Sequence, residues 1–196
     1  MSLAPSPRHL KHRRTVTVEA YAREDGLWEL EARLTDVKSR DFSLASGIRK
    51  KGEPIHDMCL HVVIDKLMNI VHVDATSMAV PYPGQCEEIT PAYRQLVGLN
   101  LMQGFRRAVR ERLGGVAGCT HMTELTAALP TAAVQAFAGE VARTHIASRS
   151  GDGSAPGDSK PFPLDRCHAL RSDGEVVREF FPDWYRASRV ETTRDQ

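Results

Sequence analysis

The segment TVTVEAYAREDGLWELEARLT, residues 15–35, decides the fold. Apolar and polar side chains alternate along it on both sides of Glu24-Asp25-Gly26, which is typical of half-buried β-strands. An Asp-Gly pair between two such runs favours a hairpin, because type I′ turns require positive φ. The segment therefore predicts two antiparallel strands with one buried and one solvated face. The apolar positions are Val16, Val18, Ala20, Trp28, Leu30, Ala32 and Leu34.

A second pair of strands is predicted further along the chain. Met58, Leu60, Val62 and Ile64 alternate with Asp57, Cys59, His61 and Val63, and residues 66–69 form a turn from which 70–78 return. Residues 39–54 are polar, contain two glycines and a proline, and are predicted to form a connecting loop. Four antiparallel strands in succession favour a meander.

Helical patterns follow the strands. Thr90-Pro91 is typical of a helix start, and apolar residues recur at helical spacing from Leu96 to Leu113, where Gly114-Gly115 ends the pattern. Another helical region starts near residues 120–123, is interrupted at Pro130 and resumes to about residue 144. The predicted fold class is α+β, an antiparallel meander sheet of about four strands followed by two or three helices packed on one face.

Composition shifts divide the chain into four parts. Residues 1–12 are predicted to be a flexible tail and residues 13–147 an α+β domain. Residues 148–163 are rich in Gly, Ser and Pro and indicate a linker. Residues 164–196 are predicted to form a C-terminal arm that packs back on the domain through its aromatic side chains.

Charge and hydropathy exclude several classes of protein. The 196 residues carry 26 Lys and Arg against 25 Asp and Glu, so a net charge of +1 supplies no field for nucleic acid. No window approaches the ~18 apolar residues that cross a bilayer, and the N-terminus does not resemble a signal peptide. Four well-separated cysteines favour reduced thiols or metal ligands over a disulfide framework. We expect a cytoplasmic protein.

Cysteine and histidine stand beside breaks in regular structure at four places. They are His56 at the start of the third strand, Cys86 after the fourth, Cys119 with His121 at a helix start, and Cys167-His168 after the linker. Zinc and iron take sulfur and imidazole ligands from several elements, and a helix start favours the thiolate. The chain has no C-x-x-C or H-E-x-x-H motif, and a single cysteine of this kind is more often a small buried apolar residue than a metal ligand. His12 is expected to be solvated.

Three segments carry a resemblance to a family. GEPIHDMCLHVVID (52–65), CEEITPAYRQLVGL (86–99) and GGVAGCTHMTEL (114–125) resemble a bacterial family of domains of unknown function, whose members share P-I-H-D-M, P-Y-x-x-C and G-C-T-H-[LM] segments. The resemblance covers about residues 14–129. It implies no established activity.

The order of these segments is also similar, more distantly, to the NifU/IscU-type iron–sulfur scaffold proteins. That similarity implies a metal site of His56, Cys86, Cys119 and His121, with Asp57 in or beside the ligand shell. A histidine replaces the family's first cysteine, and its His-Cys pair becomes Cys119-Thr120-His121. The implied cofactor is therefore one transition-metal ion, zinc or iron, in a mononuclear site, and an iron–sulfur cluster is the less favoured alternative.

Three functions remain open from the sequence. The first is a metal-dependent enzyme of lyase or hydrolase type, acting on a small organic acid, an aromatic compound or a thioester, with Asp57 as the catalytic general base or as an orienting group. The second is a non-catalytic metal or iron–sulfur carrier. The third is a metal-free module that binds small molecules or partners. The expected partner is a small-molecule substrate, without nucleic acid or membrane, and the sequence leaves the oligomeric state open.

Overall fold

The predicted hairpin consists of two long strands, β1 (His12–Ala22) and β2 (Trp28–Lys38). The computed structural model describes residues 6–149, 160–161 and 163–187, with side chains of 140–149 left out. Within it, β1 pairs antiparallel with β2 from the His12–Lys38 pair to the Ala22–Trp28 pair. β1 starts at His12, the last residue of the segment 1–12 that is predicted to be a flexible tail.

The turn of this hairpin is not of type I′. Gly26 has a φ of 81°, but Asp25 does not adopt positive φ. The Gly26 N–H donates to the Arg23 carbonyl, and the Arg23 N–H donates to the Leu27 carbonyl over 3.0 Å. This is the longer class of hairpin loop, in which a turn is followed by a left-handed glycine. The Asp-Gly pair therefore predicts the hairpin correctly but not its turn.

A four-stranded antiparallel sheet has the order β1-β2-β5-β6, where β5 is Pro54–Ile64 and β6 is Ile70–Ala79. The order follows the chain, so the predicted meander and the α+β class are confirmed. The predicted loop between β2 and β5 also contains a small hairpin, β3 (Phe42–Leu44) and β4 (Gly47–Arg49). Strands of three residues are too short to show a period of two.

The inner face of the sheet forms the core. Leu30, Ala32, Leu34, Leu60 and Val62 have no exposed surface, whereas the alternate positions Glu29, Glu31, Cys59 and His61 are only partly buried. Burying each of these leucine and valine side chains stabilises the fold by about 1.5–3 kcal/mol. Helices cover this face.

The single helix predicted from residue 90 to 113 is wrong. A 3-10 helix (Glu87–Leu96) and α1 (Phe105–Leu113) are separated by a loop. In that loop Gly98 and Gly104 have φ of 84° and 64°. The Gly98 N–H donates to the Ile70 carbonyl and the Ile70 N–H to the Leu99 carbonyl, each over 2.8 Å. Pairing with β6 therefore interrupts the helix, although the apolar side chains on both sides are buried.

Two further helices lie where the sequence predicts a helical region that is interrupted at Pro130. α2 (Thr120–Thr126) follows Cys119, and α3 (Leu129–Arg149) carries Pro130 at its start, where the missing N–H costs nothing. Non-helical dihedral angles at Phe137 kink α3. There the ring of Phe137 stacks on Trp28 of β2, with centroids 4.0 Å apart.

The chain divides into two compact units, Met1–Ala138 and Gly139–Gln196. The second unit contains α4 (Glu175–Phe180) between two 3-10 turns, His168–Leu170 and Pro182–Trp184. Most of the predicted linker lies outside the described residues, and the packing of residues 164–196 on the domain stays a prediction. Among the described residues, no helix combines the length and apolar character needed to cross a membrane.

Candidate metal centre

Asp36 occupies the last inward position of β2. The inward residues Trp28, Leu30, Ala32 and Leu34 are buried, and Asp36 continues their alternation with 2% of its surface exposed. In the sheet it lies between Arg14 on β1 and His56 on β5. A buried carboxylate requires partners, because an unpaired charge in the core is costly.

Groups from both neighbouring strands satisfy the carboxylate of Asp36. Arg14 Nε donates to Oδ1 over 2.9 Å and Arg14 Nη2 to Oδ2 over 2.7 Å, while His12 Nε2 lies 2.9 Å from Oδ1. Burial by itself raises the pKa of Asp36, but the hydrogen bonds and charge of Arg14, with contributions from His56 and His12, outweigh it. The resulting pKa is about 2, so Asp36 is an anion at neutral pH.

Two histidine rings meet beside this carboxylate. His56 Nδ1 lies 3.0 Å from Asp36 Oδ2, and His121 Nε2 lies 4.0 Å from the same oxygen. The two ring centroids are 3.7 Å apart, with the planes tilted by 31°. Burial lowers the pKa of both rings, and for His121 the adjacent His56 lowers it further. Neutral imidazole is the form that binds metal.

The start of α2 fixes the position of His121. Cys119 precedes the helix in extended conformation, and the hydroxyl of the buried Tyr93 lies between its backbone groups. The Cys119 N–H donates to Tyr93 Oη over 3.0 Å, Tyr93 Oη lies 2.8 Å from the Cys119 carbonyl, and Thr123 Oγ1 lies 2.8 Å from the same hydroxyl. The tyrosine therefore anchors the turn that carries Cys119 and His121.

Asp36, His56 and His121 form a group with metal-binding potential. Each offers one ligand atom, and these atoms all lie within 4.8 Å of one another. Among the described residues, no other group of three or more His, Cys, Asp or Glu side chains meets this criterion. Cys119 Sγ lies next to the group, 3.9 Å from His121 Nδ1.

The predicted site residues are thus only partly brought together. His56 and His121 are in contact, with Cys119 beside them. Cys86 directly precedes the 3-10 helix and is not in the group. Asp57 lies on the outer face of the sheet, where its carboxylate accepts hydrogen bonds from Arg33 over 2.8 and 2.7 Å. All four cysteines are free, and Cys167 is exposed in the second unit.

Sequence reasoning missed Asp36 and its two partners on β1. The signal was present, because extending the alternation of β2 by two residues places an acidic side chain at a core position. The same alternation places Arg14 inward on β1. His12 is exposed, as expected, but its imidazole also contacts the Asp36 carboxylate, which the sequence did not indicate.

The chain belongs to the family described as "Protein of unknown function (DUF2889)", which matches residues 12–135, more than half of the 196 residues. The match covers all six strands, α1, α2 and every residue of the group. No curated protein and no solved structure matches the chain. The similarity to iron–sulfur scaffold proteins stays a prediction.

Proposed function

We propose that Asp36, His56 and His121 bind one transition-metal ion, zinc or iron, and that the protein is a metal-dependent enzyme. The observation that carries the proposal is the convergence of these three side chains, from β2, β5 and α2, to within 4.8 Å at the end of a buried sheet face. The ligands come from two strands and a helix and not from loops, which favours a defined coordination geometry.

The donor set suits these metals. Two imidazoles and one carboxylate are a frequent ligand set for catalytic zinc and for non-haem iron. Ligand atoms about one metal with bonds of ~2.0–2.2 Å lie roughly 3–4 Å apart. The separations of 3.0 Å and 4.0 Å from Asp36 Oδ2 to the two imidazoles are in this range.

Three protein ligands favour an enzyme over a structural site. Structural zinc is closed by four protein ligands, whereas catalytic zinc keeps a position for water or substrate. A bound metal would supply a Lewis acid or an activated water. We propose lyase or hydrolase chemistry on a small organic acid, an aromatic compound or a thioester; the acid and the thioester each offer a carbonyl oxygen that a metal can polarise.

The chain's own residues would hold and orient the ligands. Arg14 bonds both oxygens of Asp36 and also reaches Glu124 of α2 with Nη1 over 2.6 Å, which ties β1 to the helix that carries His121. Such contacts to ligands tune the affinity of metal sites. The predicted general-base role of Asp57 draws no support from its place on the outer face.

The test is elemental analysis of protein purified without a metal-affinity column, with the visible spectrum recorded alongside. We expect near-stoichiometric zinc or iron in the wild type and loss of most of it in His121→Ala. The matched control is His61→Ala, since His61 is also on β5 and also contacts a carboxylate, that of Glu29 over 2.8 Å, but lies outside the group.

Each outcome has a clear meaning. Metal in the wild type and in His61→Ala, but not in His121→Ala, supports the site, and the absorption bands of a cluster would favour the carrier over the enzyme. A wild type that holds no metal and takes up none on reconstitution refutes the proposal. Asp36, Arg14 and the two histidines would then be a structural ion-pair network in a metal-free module.

A further inference from the structure

The edge strand β1 is long, regular and open. It forms one edge of the sheet, and in the part of the chain that the structure describes its only partner is β2. Its 11 residues pair with β2 without a register irregularity, and they include neither proline nor lysine. Proteins commonly protect edge strands by short length, bulges, proline or lysine, because unpaired backbone groups recruit further strands. β1 has none of these protections, and the charge of its inward-pointing Arg14 is paired with Asp36 of the same sheet.

The opposite edge of the sheet is protected. β6 pairs with β5 through two register irregularities, at Asp57/Met58 and at Val63/Ile64. Its first residue, Ile70, is hydrogen-bonded to Gly98 and Leu99 of the loop before α1. Of the two edges, β1 is therefore the one suited to accept another strand.

Side chains on both faces of β1 are exposed. Val16 on the inner face is 43% exposed and Tyr21 on the outer face is 45% exposed. A strand that pairs along the middle of β1 would shield Val16, which adds apolar burial to the backbone hydrogen bonds.

The charges along β1 are complementary to those of a second copy. Arg13, near the start of the strand, forms no ion pair with any residue that the structure describes. Glu19, near its end, lies directly opposite Glu31 of β2, a like-charge pair that destabilises a sheet. The start of β1 is basic and its end is acidic, so a second copy of β1 that runs antiparallel places opposite charges next to each other.

We propose that β1 pairs antiparallel with β1 of a second copy about a two-fold axis at Val16. In this register Arg13 lies opposite Glu19 of the second copy at both ends, and Thr15 lies opposite Thr17. The added arginine would offset the repulsion between Glu19 and Glu31. The two sheets become one eight-stranded sheet, and the two-fold axis closes the assembly as a dimer. The proposal is independent of the metal site.

The experiment is analytical ultracentrifugation of the full chain and three variants. We expect the wild type to sediment with twice the monomer mass. Arg13→Glu and Glu19→Arg each turn two attractive contacts into repulsive ones, so each should weaken the dimer by about tenfold or more. The double variant R13E/E19R recreates both pairs with exchanged signs and should restore the dimer.

Arg106→Glu is the matched control, because it reverses the charge of an exposed arginine on α1 and should leave the mass unchanged. Circular dichroism of every variant shows whether it is folded. A monomeric wild type, assemblies larger than two, or a double variant no stronger than the single ones would each overturn the proposal.

Discussion

His56 of β5 and His121 of α2 face one another with their ring centroids 3.7 Å apart, beside a carboxylate that is almost fully buried. Apolar burial alone does not explain two imidazoles in contact, because the nitrogens of a buried imidazole need polar partners. Asp36 Oδ2 lies 3.0 Å from one ring and 4.0 Å from the other. The carboxylate is therefore the centre of the group, and four other side chains are arranged around it or its histidines: His12, Arg14, Glu124 and Cys119.

The two cysteines of the predicted ligand set should behave differently on substitution. The group formed by Asp36, His56 and His121 excludes Cys86, so Cys86→Ala should retain the metal content of the wild type. Cys119→Ala should lower metal affinity by about 10–100-fold, because it removes the sulfur beside His121 Nδ1. Competition with a chelator measures both affinities.

Cys59→Ala is the control for this pair, since Cys59 is on the outer face of β5. Loss of metal from Cys86→Ala would instead favour the ligand set that the scaffold similarity implies. An equal loss from all three variants would mean that general destabilisation, and not ligation, determines metal content.

Removal of Arg14 should destabilise the fold more than removal of Arg33. Both arginines make two hydrogen bonds to an aspartate, but the Asp36 side chain is 3% exposed, whereas that of Asp57 is 13% exposed and its partner Arg33 is 47% exposed. Arg14→Ala leaves a buried carboxylate with fewer partners, and we expect a loss of about 2–4 kcal/mol in the free energy of unfolding. Arg33→Ala should cost less than about 1 kcal/mol.

Urea unfolding, with equal m-values for the two variants, measures this difference. If the two variants lose the same free energy of unfolding, the burial of Asp36 is not what makes its ion pair with Arg14 important for stability.

Tyr93→Phe should weaken both the fold and the metal site. The hydroxyl is hydrogen-bonded with the Cys119 backbone, and its removal leaves the partly buried Cys119 amide without this partner, at a cost of about 1–3 kcal/mol. The turn before α2 then positions His121 less well, so metal affinity should fall as well. Thermal unfolding with and without added metal measures both effects.

Tyr82→Phe makes the same chemical change on a ring that is 52% exposed and should have neither effect. If Tyr93→Phe is destabilised but keeps its metal affinity, the hydroxyl contributes to stability and does not position His121.

Cys59 should react slowly with thiol reagents. Burial, and next the negative charge of Glu31, raise the pKa of its thiol to about 11, compared with an ordinary value near 9. Because the thiolate is the reactive form, the alkylation rate near pH 8 should be about a hundredfold below that of an ordinary thiol and should keep rising up to about pH 11. Mass spectrometry of peptides after timed alkylation measures the rate for each cysteine.

Glu31→Gln removes one cause of the raised pKa and should accelerate the alkylation of Cys59 but not that of the exposed Cys167. Equal rates for Cys59 and Cys167 in the wild type would contradict the expectation.

Alternation made the sheet predictable, because β2 and β5 each have one face in the core and β1 keeps the same period although none of its residues is buried. The interruption of the helix between Leu96 and Phe105 was not predictable, since apolar spacing is the same in a continuous helix and in a 3-10 helix followed by a loop. Its cause, the pairing of Gly98 and Leu99 with Ile70, is a tertiary contact between distant parts of the chain.

The candidate site was half predictable for a related reason. His56, Cys119 and His121 stand beside breaks in secondary structure, and histidine and cysteine at such places are typical metal ligands. Asp36 was missed because acidic residues are common at strand ends, and only the register between β2 and β5 shows that it lies opposite His56. Arg14 and His12 similarly depend on the pairing of β1 with β2.

Because Asp36 points inward, the candidate site forms only when β2 and β5 pair in the native register. Asp36 and His56 share the face of the sheet that carries Leu34 and Met58, so a slip of one residue between β2 and β5 would turn the carboxylate outward and the leucine with it. A chain folded in the wrong register would lose its core and its site together. Asp36 and His56 consequently need no ordering step of their own, since the hydrophobic burial that selects the native register has already placed them.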